Sequence, residues 1–82
     1  MQYIHLTDDI DELNLRMRTF YGLKRNGVNT VQDMIRSKEN NELKDFAWLG
    51  KGNISEIEQL VNSLYSGDGE YIIVKEPPIT DH

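Results

Sequence analysis

No cysteine occurs anywhere in this chain, so neither disulfides nor thiolate zinc ligands can supplement its core, and cysteine usage says nothing of redox compartment. The core must suffice alone. Long apolar runs are missing too: no stretch approaches the roughly 20 apolar residues needed to cross a bilayer, and the N-terminal MQYIHLTDDIDE has neither the basic segment nor the apolar run of a signal peptide. These absences predict a soluble intracellular protein, cytoplasmic and with no membrane partner. Proline is confined to Pro77 and Pro78, which block helix and sheet pairing in the tail KEPPITDH and predict no regular structure there.

Catalytic groups are equally scarce. The two histidines, His5 and His82, lie at opposite ends, and neither has a nucleophile at a recognisable motif spacing. Asp8, Asp9, Asp11 and Glu12 cluster, but without the glycine and spacing of a calcium loop, so they read as a solvated face and not as a metal site. At 82 residues the chain fits a single domain, 1–82, whose core buries roughly 60 to 65% of the unfolded surface, which leaves little room for a large cleft. We expect no enzyme, no cofactor and no metal.

What is present is a divided charge. The net −5 of nine basic and fourteen acidic residues argues, taken whole, against a polyanionic partner. Residues 1–12 carry −4 and residues 67–82 carry −3, whereas residues 13–66 hold eight basic against six acidic side chains, a net +2. A mildly basic centre is flanked by acidic ends. If those ends lie near the basic centre they would screen it.

Within the centre, LNLRMRTFYGLKRNG places Leu13, Met17, Phe20 and Leu23 near one face at helical spacing, with Asn26-Gly27 as a left-handed stop. The spacing predicts a helix over about 15–25. Thr30 stands three residues before Asp33, a carboxylate form of the capping box, and opens a short second helix with Val31, Met34 and Ile35 inward. Leu43, Phe46 and Ala47 suggest a third short helical turn ending near Gly50. Asn53 can cap a fourth helix over about 54–65, with Glu56 reaching back to it and Ile54, Ile57, Leu60, Val61 and Leu64 as its apolar stripe. The predicted fold is mainly α, a compact bundle of four to five helices spanning residues 10–66, with acidic flanks at 1–9 and 67–82. QYIHL at 2–6 and EYIIV at 70–74 are the β-branched and aromatic runs, each short enough for one strand. They can form a short two-stranded sheet within the chain, or between two copies, if Ile4, Leu6, Ile72 or Val74 packs on the helices.

A short helix, a glycine-bearing turn and a capped helix together make a helix-hairpin-helix pattern, in which turn amides and the following helix N-terminus point at a common spot suited to an anion. Gly50 and Gly52 flank Lys51. Lacking a Cβ, they can take positive φ and approach a phosphate closely; the plainer alternative is that they merely turn the chain.

From about Ile10 to Leu64, two thirds of the chain, the sequence resembles the C-terminal domain of the bacterial RNA polymerase alpha subunit. Glu12-Leu13, Arg18, Leu23-Lys24, Leu49-Gly50-Lys51 and Glu56-Ile57 carry the likeness. It implies a compact helical module that docks on A·T-rich DNA minor grooves and touches transcription proteins such as polymerase or a regulator. Arg18 would enter the groove, while Lys24, Gly50, Lys51, Gly52 and Asn53 would hold flanking phosphates, reading groove shape more than base identity. Tyr21 and Trp48 stand where that family usually has asparagines, Gly52 where it has a second lysine, Asn53 where a serine or threonine opens the last helix, and Arg16 where a small capping residue starts the first. Trp48 therefore has three readings: core residue, protein contact or DNA contact. Glu12, Tyr21 and Trp48 are the candidate protein contacts of an alternative function, a protein-interaction module that has lost DNA binding. The family domain normally ends a longer subunit, so a polypeptide complete from Met1 to His82 would be a free-standing relative.

Overall fold

A computed structural model describes residues 2–74. Three α-helices run in chain order: α1 (Met17–Arg25), α2 (Val31–Glu39) and α3 (Lys51–Ser66). Two strands, β1 (Gln2–His5) and β2 (Tyr71–Val74), enclose them in sequence, and single 3-10 turns sit at Ile10–Glu12 and Leu43–Asp45. The fold is mainly helical with a small sheet, as expected, but among the described residues it holds three α-helices and not four to five. The reason lies between Asn41 (φ 58°) and Trp48 (φ 72°), two left-handed positions that break any helix. The few residues they bound can close one 3-10 turn but cannot meet the cost of nucleating an α-helix.

The helix ends follow from local chemistry. α1 stops in a Schellman motif: Gly27 (φ 82°) donates to the Lys24 carbonyl at 3.0 Å and Val28 to the Leu23 carbonyl at 2.9 Å. At the start of α2 the expected capping box forms, with the Thr30 hydroxyl accepting from the Asp33 amide at 3.1 Å and the Asp33 carboxylate from the Thr30 amide at 3.3 Å. The N-cap of α3 lies three residues before the predicted Asn53 cap. Gly50 is its N-cap, and Asn53, now in the first turn, turns its side-chain oxygen back to the Gly50 amide at 3.1 Å.

The strands pair within the protein, in parallel, with Gln2 opposite Tyr71 and His5 opposite Val74. Ile4, Tyr71 and Ile73 turn into the core and the half-buried Leu6 packs against it, as expected of Ile4 and Leu6, whereas Ile72 and Val74 are only half-buried. The Tyr71 hydroxyl accepts the Asn14 amide at 2.6 Å and so ties the sheet to the segment leading into α1. That segment is laced to the start of α2 by backbone bonds from Ile10 to Asn29, Val31 to Asp8 and Gln32 to Leu6, each 2.9 to 3.0 Å. Ile10, Leu23, Val31, Met34, Ile57 and Val61 are wholly buried and fill the space between the helices. Burial of each such aliphatic side group stabilises the fold by about 1.5 to 3 kcal/mol. Met17, expected on the inner face of α1, is instead 72% exposed, because Leu13 belongs to the preceding extended segment and so sets no helical phase for it. The tail at 75–82, for which no regular structure was predicted, lies outside the described residues.

Candidate nucleic-acid interface

The N-termini of α1 and α3 are joined by a polar relay. One oxygen of the Glu56 carboxylate, in the second turn of α3, accepts the Arg16 backbone N–H at 2.9 Å, and the other accepts the Thr19 hydroxyl. Thr19 is completely buried. Its oxygen accepts from Asn53 Nδ2 at 3.0 Å, and Asn53 Oδ1 ends the relay on the Gly50 amide. The Arg16 side group does not cap α1, so a carboxylate from the neighbouring helix occupies that electropositive end. The relay fixes the angle between the two helix starts, and with it the spacing of the side chains they carry.

The loop between the second 3-10 turn and α3 is pressed against α1. Asn26 Nδ2 donates to the Gly22 carbonyl and to the Ala47 carbonyl, both at 2.8 Å. Gly22 is buried in the helix interior, and a Cβ there would fall 2.6 Å from Leu49 Cδ2 and 3.1 Å from the Trp48 carbonyl oxygen. A glycine inside a helix usually has such a packing reason, and this signal was open to sequence reading. Trp48 itself is held at φ 72°, where a bulky residue costs on the order of 1 kcal/mol. It is 68% exposed, which removes the core reading, and the Arg25 guanidinium lies 4.7 Å from its ring centroid. Met17, Arg18, Tyr21, Gly22, Arg25 and Trp48 line one groove of about 370 Å³.

Beside the groove, the first turn of α3 opens outward. The glycine N-cap supplies no side group to the amides of Lys51, Gly52 and Asn53, which leaves the positive end of the helix unshielded. Neither Gly50 (φ −89°) nor Gly52 adopts the positive φ expected of them. The left-handed residue of this hairpin is Trp48, because the backbone turns two residues before the glycines. An added Cβ at Gly52 would meet nothing within 4 Å, and one at Gly50 would meet Asn53 Oδ1 at 3.7 Å. The fold therefore leaves space in front of both glycines without needing it for packing.

The structure brings the expected site residues together in two sets and leaves Lys24 and Glu12 outside them. Arg18, Tyr21 and Trp48 share the groove; Gly50, Lys51, Gly52 and Asn53 form the adjoining helix start. Arg18 and Lys51 are exposed, and among the described residues no carboxylate pairs with them. Lys24 is bound differently, since its ammonium sits 2.8 and 2.9 Å from the two oxygens of Asp9 and 5.5 Å from the centre of the Phe20 ring. That Lys24 hydrogen bond, aided by the Asp11 amide, holds the Asp9 carboxyl below its ordinary pKa. Glu12 lies apart, exposed at the end of the first 3-10 turn. Sequence reading missed Thr19, Gly22 and the Asp9–Lys24 pair.

Such geometry defines a class: a small helical module with a glycine-opened helix start set beside an arginine-bearing helix. Residues 2–63 match the family described as the C-terminal domain of the bacterial RNA polymerase alpha chain, and this protein belongs to that family. It is 38% identical over 55 residues, 67% of its length, to the DNA-directed RNA polymerase subunit alpha of Clostridium perfringens (strain 13 / Type A). To the same subunit of Clostridium botulinum (strain Hall) it is 38% identical over 58 residues, 71% of its length, and to that of Mycoplasmoides gallisepticum 32% over 60 residues, 73% of its length. The aligned region spans 17 to 18% of the length of these relatives. No solved structure is matched. Among the described residues, no helix is long and apolar enough to cross a membrane.

Proposed function

We infer a transcription-associated role from membership of the alpha C-terminal-domain family. Within that role, we propose that this module docks on duplex DNA, favouring A·T-rich minor grooves, as a binding unit and not a catalyst. Arg18 enters the narrow groove, where the negative potential is enhanced. Lys51 and the amides at the start of α3 contact the flanking phosphates. The observation that carries this reading is the face itself. Among the described residues no carboxylate pairs with Arg18 or Lys51, which stand on the two helices whose starts the relay joins, and the glycine N-cap of α3 supplies no side chain to its first-turn amides, on a protein of net charge −5. Lys24 contributes less than the family pattern implies, because Asp9 occupies it.

The test is a ¹⁵N-HSQC titration with a short A·T-rich duplex at about 50 mM and about 200 mM salt. Two phosphate-contacting cations give a slope of log affinity against log salt near −1.8, so the higher salt weakens binding about twelve-fold. Shifts confined to Arg18 and residues 50–53 that fade at the higher salt support the reading. An unchanged spectrum, or shifts that Arg18→Ala leaves intact, defeats it.

A further inference from the structure

The groove beside Arg18 has features that duplex docking does not use. Five large hydrophobic side chains are exposed among the described residues, and three of them, Met17 (72%), Tyr21 (54%) and Trp48 (68%), gather at this one place. Trp48 buries too little there to be explained by folding. Yet the structure holds it in a left-handed conformation, clamps the preceding Ala47 carbonyl with Asn26, and keeps Gly22 free of a methyl that would push the loop away. Tyr21 is braced as well, its ring edge-on to Phe20 with centroids 5.2 Å apart. Exposed rings fixed by such devices form a prepared surface.

We propose that this groove takes an unpaired nucleobase, stacked on Trp48, from a single-stranded or locally melted stretch of DNA whose phosphates are held by Arg18 and Arg25. Charge and lining chemistry select this occupant. Two arginines line the groove and no carboxylate does, which suits a strand carrying a charge at every residue. A peptide in extended form would need partners for its backbone, and the lining offers the Tyr21 hydroxyl and the Trp48 indole N–H as its uncharged polar side-chain groups, with no uncharged acceptor besides the hydroxyl. Stacking needs none of these, since every base has a π-face, and arginine adds cation–π attraction. The proposal rests on the duplex reading in one respect: it shares Arg18 with it.

Trp48 is the sole tryptophan, so its fluorescence reports the groove directly. The 82-residue protein is titrated with a mixed-sequence single-stranded 12-mer, with the duplex of the same sequence, and with an acidic peptide rich in aspartate and leucine. Circular dichroism verifies that each variant is folded. The expected result is quenching by the single strand, with Trp48→Ala lowering its affinity at least five- to ten-fold and Trp48→Phe restoring some of the loss. Equal single-strand affinity for wild type and Trp48→Ala overturns the proposal, as does quenching by the acidic peptide alone, which would make the groove a protein-docking site. Duplex shifts at Arg18 without any effect of Trp48→Ala on the single strand sink this inference and leave the duplex reading standing. Failure of both oligonucleotides to bind ends both.

Discussion

Replacing Thr19 with valine removes one hydroxyl and leaves the shape of the residue intact, so it isolates the relay between α1 and α3. Thr19 is fully buried, donates to the Glu56 carboxylate and accepts from Asn53 Nδ2. A hydrogen bond to a charged group contributes about 1.5 to 3 kcal/mol and a neutral one about 1 kcal/mol. Glu56 is half-buried, so water can replace some of the first, which brings the expected loss to about 2 kcal/mol. For a protein of 82 residues the whole folding free energy is about 4 to 12 kcal/mol. The loss is thus a large fraction, equivalent to a fall in Tm of roughly 8 to 16 °C. Urea and thermal unfolding followed by far-ultraviolet circular dichroism would measure it, with Glu56→Gln and the double variant completing a cycle whose losses should fall short of additive. If Thr19→Val shifts stability by less than about 0.5 kcal/mol, the relay does not join the helices and the reasoning fails.

Asp9→Asn should release Lys24, steepen the salt slope of duplex binding by about 0.9 and raise affinity at low salt, measured by anisotropy of a labelled duplex; an unchanged slope would show that Lys24 is already available. The same carboxyl titrates below its ordinary value in the folded protein, so its contribution to stability is present at neutral pH and lost as pH falls below about 4. Asp33 behaves alike, since burial pushes its carboxyl up but hydrogen bonds from the Asn29 and Thr30 amides outweigh this. Urea midpoints should therefore drop between pH 7 and pH 3 in the wild type, with the Asp9 share of that drop absent from the asparagine variant. Gly52→Ala should stabilise the fold by about 0.5 kcal/mol, since nothing lies within 4 Å of the new methyl, while weakening duplex binding; tighter or equal binding would mean the space before Gly52 is not used. Gly22→Ala gains about 1 kcal/mol of helix propensity but meets Leu49 and the Trp48 carbonyl, an overpacking cost of about 1 to 3 kcal/mol, so it should be neutral to destabilising and should shift Trp48 emission.

Much of this architecture was legible because it is written in local chemistry. The Thr30/Asp33 box and the Asn26-Gly27 stop depend on side chains a few residues apart, and both formed as read. The terminal strands were visible in their β-branched composition, although not which face of β2 would turn inward. What escaped depends on contacts distant in sequence. Asn53 has a cap's chemistry, but its amide was drawn to Thr19 thirty-four residues earlier, and the helix start moved to Gly50. The glycines suggested positive φ, but that strain fell on Trp48, a residue that no propensity argument would choose. Lys24 and Asp9 are separated by fifteen residues and meet because the N-terminal segment is laced to the start of α2.

The parallel pairing of β1 with β2 also decides how the domain bears mechanical load. Tension applied before Gln2 and after Val74 pulls the two strands in opposite directions along their own axes. Their hydrogen bonds are then strained together in shear, whereas in an antiparallel pair held at its open end they would break in succession. Between the two strands lies the whole helical core, so none of it feels the pull until the strands slide. Four residues of sheet at each end thus act as a clasp, and the rate at which that clasp slips sets the rate at which the helices can be drawn apart.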